Sequence, residues 1–343
     1  MATDLSGGLP VEREYFLDAR PGAEVRDATN VWLEEENGDF AMRIGIEGVA
    51  EVWDNHELWL DVAFPDGRVL NSRDRCRSHS PIGPDGKPTV LGTGPLQFRC
   101  VEPFRLWTIG FERHPVSDIT TRQLIEARYP DPIPRAEVAF AITMRPAVPP
   151  LVSGTLTAAS RALMAGEQGS FIRPRCEQLC RVEGWLEVDG KRRDFKGQAL
   201  RIKRQGVRRF EGFFGHCWQS ALFPSGKAFG VNAFPPRDDG QPSFNEGFVF
   251  DGNGPLVAAR AVQSPWMTEF HERGEPVPLV LETEDGRRVE IDGTTFVNTR
   301  SQSHASLPDS FPLVQQAHAR YRWDGEEATG MIERSTFRNK MKL

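Results

Sequence analysis

Several features common in secreted, membrane and nucleic-acid-binding proteins are scarce in this 343-residue chain. Its five cysteines are odd in number in a long chain, which argues against a disulfide framework and favours a reducing compartment. Residues 138–142 form about the longest apolar run, whereas a membrane-spanning helix needs roughly 20 residues. The net charge of −6 lacks the basic excess of nucleic-acid-binding domains. Residues 1–15 show no signal-peptide pattern, so we expect a cytoplasmic protein without a membrane span.

The compact motifs of several enzyme classes are also missing. The sequence contains neither the Gly-x-Ser-x-Gly elbow of serine hydrolases nor a P-loop. Its seven histidines form no close pair with metal-ligand spacing, so no metal site is expected unless distant strands bring ligands together. No segment indicates a nucleotide or flavin, and we expect no cofactor.

Turn residues and short alternating runs dominate what is present. The 32 glycines and 26 prolines are spread along the chain, and Asp-Gly turns recur, as at 189–190 and 285–286. Apolar residues between the turns alternate with period two, so that Trp107, Ile109 and Phe111 share one face of a strand. This pattern predicts a mostly β protein.

Helix signals are few. Residues 118–127 are expected to form a short helix that begins with Ser117 or Asp118 as its cap. Residues 156–166 are expected to form another, which ends at Gly166.

A proline-rich stretch and a short sequence pattern that occurs twice, which we call the echo, divide the sequence into halves. Residues 145–150 are the predicted linker between one domain at 1–150 and another at 151–343. The pattern Trp-x4-Phe-Pro-x-Gly-basic starts at Trp59 and again at Trp218. A true duplication and two unrelated hairpins with similar turns both explain this echo.

One basic stretch stands out in this acidic chain. Residues 191–209 hold nine lysines and arginines and one acid, Asp194. A nucleic-acid or anion surface and the solvent-facing sides of two strands both explain it. We prefer the second explanation and expect no nucleic-acid partner, because Phe195 alone is a poor stacking platform for bases.

Two titratable residues lie on aromatic segments. His216 shares a predicted strand face with Phe214, Trp218 and Leu222, where desolvation would move the pKa of its imidazole. Either His216 is a catalytic acid or base, or it is a core histidine bonded to a neighbouring strand.

Glu246 lies on the second aromatic segment and shares a face with Phe244, Phe248 and Phe250. If this face is buried, burial raises the pKa of the Glu246 carboxyl and makes it a candidate general acid. The alternative is a structural pair with an arginine from elsewhere in the fold.

These segments resemble a known family. His216-Cys217-Trp218, after a glycine-rich aromatic segment, resembles the His-x-Trp strand of the two-domain lipocalin-like proteins, which include carotenoid 1,2-hydratase (hydroxyneurosporene synthase) and the AttH-like proteins. Further segments that fit the family's pattern are 101–107, 177–178, 182–184, 321–325, Gly330 and Glu333.

The resemblance implies two tandem lipocalin-like antiparallel β-barrels or half-barrels with a few short helices. It also implies a hydrophobic pocket near their junction, lined by His216 and Trp218. Glu246 lies about where the family's hydratases use an acidic residue of a later strand.

Two functions follow from these observations. The first is a cofactor-independent hydratase, dehydratase, isomerase or cyclase acting on a hydrophobic terpenoid, polyketide or aromatic substrate, with His216 or Glu246 moving the proton. The residues expected to shape the cavity are Trp218, Phe214, Phe244 and Phe248. The second is a carrier of an apolar small molecule without turnover. A structural β protein without a pocket is a third alternative, and a homodimer remains open.

Overall fold

The structure is a computed structural model that describes residues 3–166, 175–209, 213–302 and 311–342. Strands dominate the described residues, which confirms the prediction of a mostly β protein with few short helices. The strands are β1 (Val25–Glu35), β2 (Ala41–Val49), β3 (Asn55–Ala63), β4 (Arg68–Arg77), β5 (Val90–Thr93), β6 (Leu96–Glu102), β7 (Leu106–Thr120), β8 (Arg135–Pro146), β9 (Leu151–Val152), β10 (Cys176–Val188), β11 (Lys191–Val207), β12 (His216–Leu222), β13 (Lys227–Ala233), β14 (Asn245–Asp251), β15 (Val257–Gln263), β16 (Leu279–Thr283), β17 (Arg288–Gln302), β18 (Leu313–Trp323) and β19 (Glu326–Thr336). The α-helices are α1 (Thr121–Glu126) and α2 (Ala158–Ala165), and 3-10 helices cover Val11–Glu14, Ala50–Val52 and Arg338–Lys340.

The first sheet closes on itself. Its strands run in the order β4-β3-β2-β1-β11-β10-β8-β7-β6-β5, and β4 also pairs with β7. This pairing joins eight antiparallel strands, β1 to β4, β7, β8, β10 and β11, into what we call the first ring. Trp107, Ile109 and Phe111 lie together in its core, as their alternation predicted.

The second sheet is a closed barrel. Strands β12 to β19 follow one another in sequence order, and β12 pairs with β19 to complete it. Alternate residues fill its interior, among them Ala221 from β12, Phe223 directly after that strand and Tyr321 from β18. We refer to this sheet as the barrel.

The change from one sheet to the other falls between Val207 and His216, because β10 and β11 complete the first ring. Three strands that follow the predicted boundary at 150 and 151, β9, β10 and β11, therefore belong to the same sheet as the strands that precede it. The division of the chain into folding domains at 1–150 and 151–343 stays a prediction.

The sequence echo corresponds to two hairpins, β3–β4 and β12–β13. The N–H of Phe64 donates to the carbonyl of the basic residue across the turn at 2.9 Å, and that of Phe223 does so at 2.8 Å. Gly67 and Gly226 have φ values of 95° and 93°, a left-handed conformation in which a side chain is strained. Duplication and chance similarity both predict this shared turn.

The helices differ from the prediction at their starts. Residues 118–120 end β7, where they pair with β4, and α1 therefore begins later than expected. Its cap is Thr120, whose Oγ1 accepts the N–H of Gln123 at 3.2 Å. The second helix begins after Thr157 and has Gly166 as its C-cap, as predicted. In the described part of the chain, no helix has the length and apolar character needed to cross a membrane.

The prediction that the basic stretch faces solvent is wrong for its second half. The stretch forms one long strand, β11, which lies between β1 and β10. Its first residues are exposed, but Arg201, Lys203 and Arg204 are buried because both sides of the strand are covered there.

Candidate functional site

The candidate residues of β12 lie on the outside of the barrel. Since Ala221 and Phe223 point into the barrel, the alternate residues Trp218 and Leu222 point away from it. They pack against Trp32 of β1 and Leu200 of β11, and Trp218 is only 2% exposed. The predicted aromatic face is thus buried between the barrel and the first ring, a contact that we call the junction.

One row of side chains crosses this outer face of the barrel, with one residue from each of five neighbouring strands. In order from β14 to β18, the junction row is Glu246, Asn232, Trp218, Glu333 and Gln316. Three strand spacings separate the backbones of the two carboxylates, roughly 14 Å along the sheet. An elongated molecule in the junction would therefore meet an acidic group near each end and an indole between them.

His216 lies beside this row and contacts Glu333, near one end of it. Its Nε2 is 3.0 Å from Oε1 of Glu333, and its Nδ1 is 2.6 Å from Oγ of Ser335. The backbone N–H of His216 donates to the same Oγ at 3.1 Å. The Nε2–H donates to Glu333, and the Ser335 hydroxyl donates to Nδ1 of the neutral ring or accepts the Nδ1–H of the charged ring.

Glu333 is held ionised. Burial alone would raise the pKa of its carboxyl, but the hydrogen bond and charge of His216, with the charge of Arg43, lower the pKa to about 2. The amide of Gln316 donates to the other carboxylate oxygen. Glu333 was noted in the sequence through the family resemblance, without a role.

We expect Glu333→Gln to destabilise the protein at neutral pH. The pKa of Glu333 is about 2 in the folded state against 4.5 for an unperturbed carboxyl, so its stabilisation is present above pH 4.5 and is lost as the pH falls toward 2. The cost at pH 7 is about 3 kcal/mol of unfolding free energy, since each pKa unit corresponds to about 1.4 kcal/mol. Urea denaturation at pH 7 and at pH 3 measures it.

Glu290→Gln is the control, because Glu290 is an exposed carboxylate paired with Arg288. A destabilisation by Glu333→Gln that stays constant between pH 7 and pH 3 contradicts the prediction.

Glu246 lies at the other end of the row and binds the segment before α2. Its carboxylate accepts the backbone N–H groups of Gly154 and of Leu156, the latter at 3.0 Å. Burial raises the pKa of Glu246 although these hydrogen bonds oppose the change. The structure places Glu246 and His216 on the same face of the barrel but not in contact.

The four aromatic candidates divide between two clusters. Trp218 and Phe248 lie in the junction. Phe214 and Phe244 lie in a neighbouring cluster beneath α2, where Phe234 packs against both at ring distances of 5.4 and 5.8 Å.

Arginines and a second indole surround Trp218, and the sequence interpretation missed them. The rings of Trp32 and Trp218 meet edge to face at 5.0 Å. The guanidinium carbon of Arg43 lies 4.7 Å from the Trp32 ring, and that of Arg175 lies 4.5 Å from the Trp218 ring. The indole N–H of Trp218 donates to Glu177 at 3.0 Å. Arg43 and Trp32 face each other on the adjacent strands β2 and β1. The other contacts join residues at least 41 apart in sequence, so no local pattern predicts them.

Several buried polar atoms of the junction have no hydrogen-bond partner among the described residues. They include both amide atoms of Asn232, Nε1 of Trp32 and Oε1 of Gln316. Leaving such a group unsatisfied costs about 1–3 kcal/mol, so these atoms offer hydrogen-bonding capacity to a group from outside the protein. Asn232 could have been noticed in the sequence, because it is a polar residue on the face of β13 opposite to the apolar residues Phe229 and Val231.

A more open groove lies elsewhere between the two sheets. It has a volume of about 510 Å³ and includes Thr143, Lys196 and Pro224 in its lining. None of the predicted site residues lines it, but Leu222 of the junction does, together with charged residues such as Arg145 and Glu183.

A closed barrel packed against a second ring of strands, with aromatic and ionisable residues buried between them, defines a two-part lipocalin-like β protein. The chain belongs to the family described as "Domain of unknown function (DUF7064)", whose model matches residues 28–338. No curated protein matches the chain at a significant level.

Three solved structures share the fold. A protein of Nitrosomonas europaea assigned to AttH is 14% identical, with a TM-score of 0.58 over 92% of this chain and 93% of that one. CghA in complex with Sch210972 is 10% identical, with a TM-score of 0.56 over 98% and 97%. Kievitone hydratase from Nectria haematococca is 8% identical, with a TM-score of 0.51 over 98% of both chains. The resemblance to AttH-like proteins is confirmed for the fold, and the narrower resemblance to carotenoid 1,2-hydratase stays a prediction.

Proposed function

We propose that the junction is the active site of a cofactor-independent enzyme that adds a proton to, or removes one from, an apolar unsaturated molecule. The reaction class is hydration, dehydration, isomerisation or cyclisation. The junction row carries this proposal, because it holds two buried carboxylates with opposite pKa shifts on either side of an indole. Pairs of groups whose pKa values are driven apart are the usual basis for dividing acid and base roles.

In a hydration, the protonated Glu246 carboxyl gives its proton to one alkene carbon, and the electron pair of the double bond forms the new C–H bond. The cation that develops at the other carbon faces Trp218 and Trp32, whose π faces stabilise positive charge. Water then attacks this carbon and returns a proton to the Glu246 carboxylate. The ionised Glu333 adds negative potential near the cation.

Kievitone hydratase, one of the proteins with this fold, is named for a hydration reaction. That name supports the reaction class but does not identify a substrate for this chain. The proposed partner is an apolar small molecule, and a cytoplasmic location stays a prediction.

The experiment incubates the wild type and His216→Ala with terpenoid, polyketide and aromatic alkenes. Mass spectrometry measures gain or loss of water, chromatography resolves isomers, and thermal shift measures binding. We expect turnover by the wild type and a loss of about 10²-fold in His216→Ala. His79→Ala, which changes an exposed histidine in the segment after β4, is the control and keeps full turnover.

Binding without turnover in the wild type would replace this proposal with the carrier function. That function has its own support, since both ring nitrogens of His216 and both carboxylate oxygens of Glu246 already have protein partners. Absence of both binding and turnover across the panel contradicts a ligand site in the junction.

A further inference from the structure

The side of the junction that belongs to the first ring carries a buried guanidinium between two indoles. Arg43 of β2 pairs in register with Trp32 of β1, and both residues face the barrel. The guanidinium carbon of Arg43 lies 4.7 Å from the ring of Trp32 and 5.1 Å from the ring of Trp59. Arg43 is only 9% exposed, so this charge is largely removed from water.

The hydrogen-bonding capacity of this group is mostly unused. Nη2 of Arg43 makes one long bond of 3.4 Å to Oδ1 of Asn30. Its Nε and Nη1, and the Nε1–H of Trp32 beside it, have no acceptor among the described residues. Three buried donors from two neighbouring side chains therefore need an acceptor from outside the protein.

The nearby carboxylates have other partners. Asp61 forms an ion pair with Arg73, and Glu333 binds His216. In the described part of the chain, no carboxylate lies within ion-pair distance of Arg43. Burial lowers the pKa of Arg43 to about 10, so the group remains a cation at neutral pH. A buried cation that has free donors and no carboxylate at ion-pair distance favours an anion with several acceptor oxygens.

The surroundings limit the rest of the ligand. Beyond Trp32 lies the edge of Trp218, followed by the apolar side chains of Leu200, Ile202 and Phe248. A small, fully hydrated ion would leave these apolar surfaces uncovered. A molecule with one anionic end and an apolar body satisfies both parts of the junction.

We propose that Arg43 and the indole N–H of Trp32 form a subsite for the oxyanion, carboxylate or phosphate, of an otherwise apolar ligand. This inference rests on the proposed function in that it uses the same junction, and it defines the substrate class more narrowly. The oxyanion anchors one end of the molecule, which leaves the apolar part along the junction row.

The test compares three probes that share one apolar body: geranic acid, geranyl monophosphate and geraniol. Isothermal titration calorimetry measures the Kd of each with the full-length protein. We expect one of the two anions to bind at least about 10-fold more tightly than the alcohol, as a charged hydrogen-bonded contact provides. The tighter anion identifies the head group as a carboxylate or a phosphate.

Arg43→Met removes the charge and keeps an unbranched side chain between the indoles. We expect it to bring the Kd of the preferred anion to within about 3-fold of that of geraniol. Trp32→Phe removes one donor and keeps a ring, and should weaken binding of the anion about 5-fold more than it weakens binding of the alcohol. Arg192→Met is the matched control, because Arg192 also stacks on an indole, that of Trp185, at 4.3 Å, but is exposed.

Equal binding of anions and alcohol by the wild type overturns the subsite while leaving the proposed function intact. The same holds if Arg43→Met and Trp32→Phe both retain the full preference, or if Arg192→Met loses it as well. If none of the three probes binds, and none of the alkene panel is bound or converted, the proposed function fails together with the subsite.

Discussion

Replacing Glu246 with glutamine is expected to lower turnover by about 10²–10⁴-fold, the range typical of losing a general acid. Glutamine has nearly the same shape but holds no transferable proton. Binding depends on the indoles and apolar walls of the junction, so the Kd for the substrate should change less than about 3-fold. Single-turnover kinetics and calorimetry with the best substrate of the alkene panel separate the two quantities.

The pH profile adds a readout that a structural role would not change. Burial raises the pKa of Glu246, so the protonated, active form persists to a higher pH than for an exposed carboxyl. The rate should fall as the pH rises through this raised pKa. Glu246→Asp keeps a carboxyl and should regain part of the rate with a displaced profile.

Glu246 also binds backbone N–H groups before α2, so loss of that contact needs its own control. Arg161→Met serves, because Nη1 of Arg161 donates to the carbonyl of Thr155 at 2.6 Å and holds the same segment without contacting Glu246. If Arg161→Met reduces turnover as much as Glu246→Gln, the effect of Glu246 lies in the loop, and its assignment as the acid is wrong.

The strands and turns of this protein could be predicted from its sequence, because they depend on turn residues and on the alternation of apolar residues over short segments. Asp189 and Gly190 both adopt the left-handed conformation that an Asp-Gly hairpin tip favours, and they connect β10 to β11 as an ordinary turn. The face shared by Phe244, Glu246 and Phe248 follows from the two-residue repeat of a strand and is buried as expected.

The surface that buries this face could not be predicted in the same way. Alternation shows that Trp218 is buried but not whether the covering residues come from inside the barrel or from another sheet. Trp32 and Arg43 reach it only after the first ring has closed and packed on the barrel. The candidate site was thus predicted for one of its two sides, the side carrying His216, Trp218 and Glu246.

Local rules also failed for Arg201. A basic residue in a charged stretch is normally exposed, yet Arg201 is 1% exposed and lies 4.5 Å above the ring of Trp107. Its partner Glu14 is also 1% exposed and comes from the short helix before β1. The buried charge of Arg201 is therefore neutralised by a residue 187 positions away in the sequence.

Replacing Glu14 with glutamine is therefore expected to cost about 3–5 kcal/mol of unfolding free energy, the range for breaking a buried ion pair from one side. Nη2 of Arg201 lies 2.8 Å from Oε1 of Glu14, and the indole N–H of Trp107 donates to Oε2 at 2.8 Å. The neutral amide leaves the guanidinium of Arg201 buried without a counter-charge. Urea denaturation at pH 7 with linear extrapolation measures the change.

A double-mutant cycle assigns this cost to the pair. Arg201→Met removes the other charge, and we expect the variant with both substitutions to be more stable than the sum of the single changes predicts, by at least about 2 kcal/mol. Asp54→Asn is the control, because Asp54 pairs with Arg20 at the surface and should matter by less than about 0.5 kcal/mol. Additive single changes, or a change below about 1 kcal/mol for Glu14→Gln, would contradict the assignment of this cost to the buried ion pair.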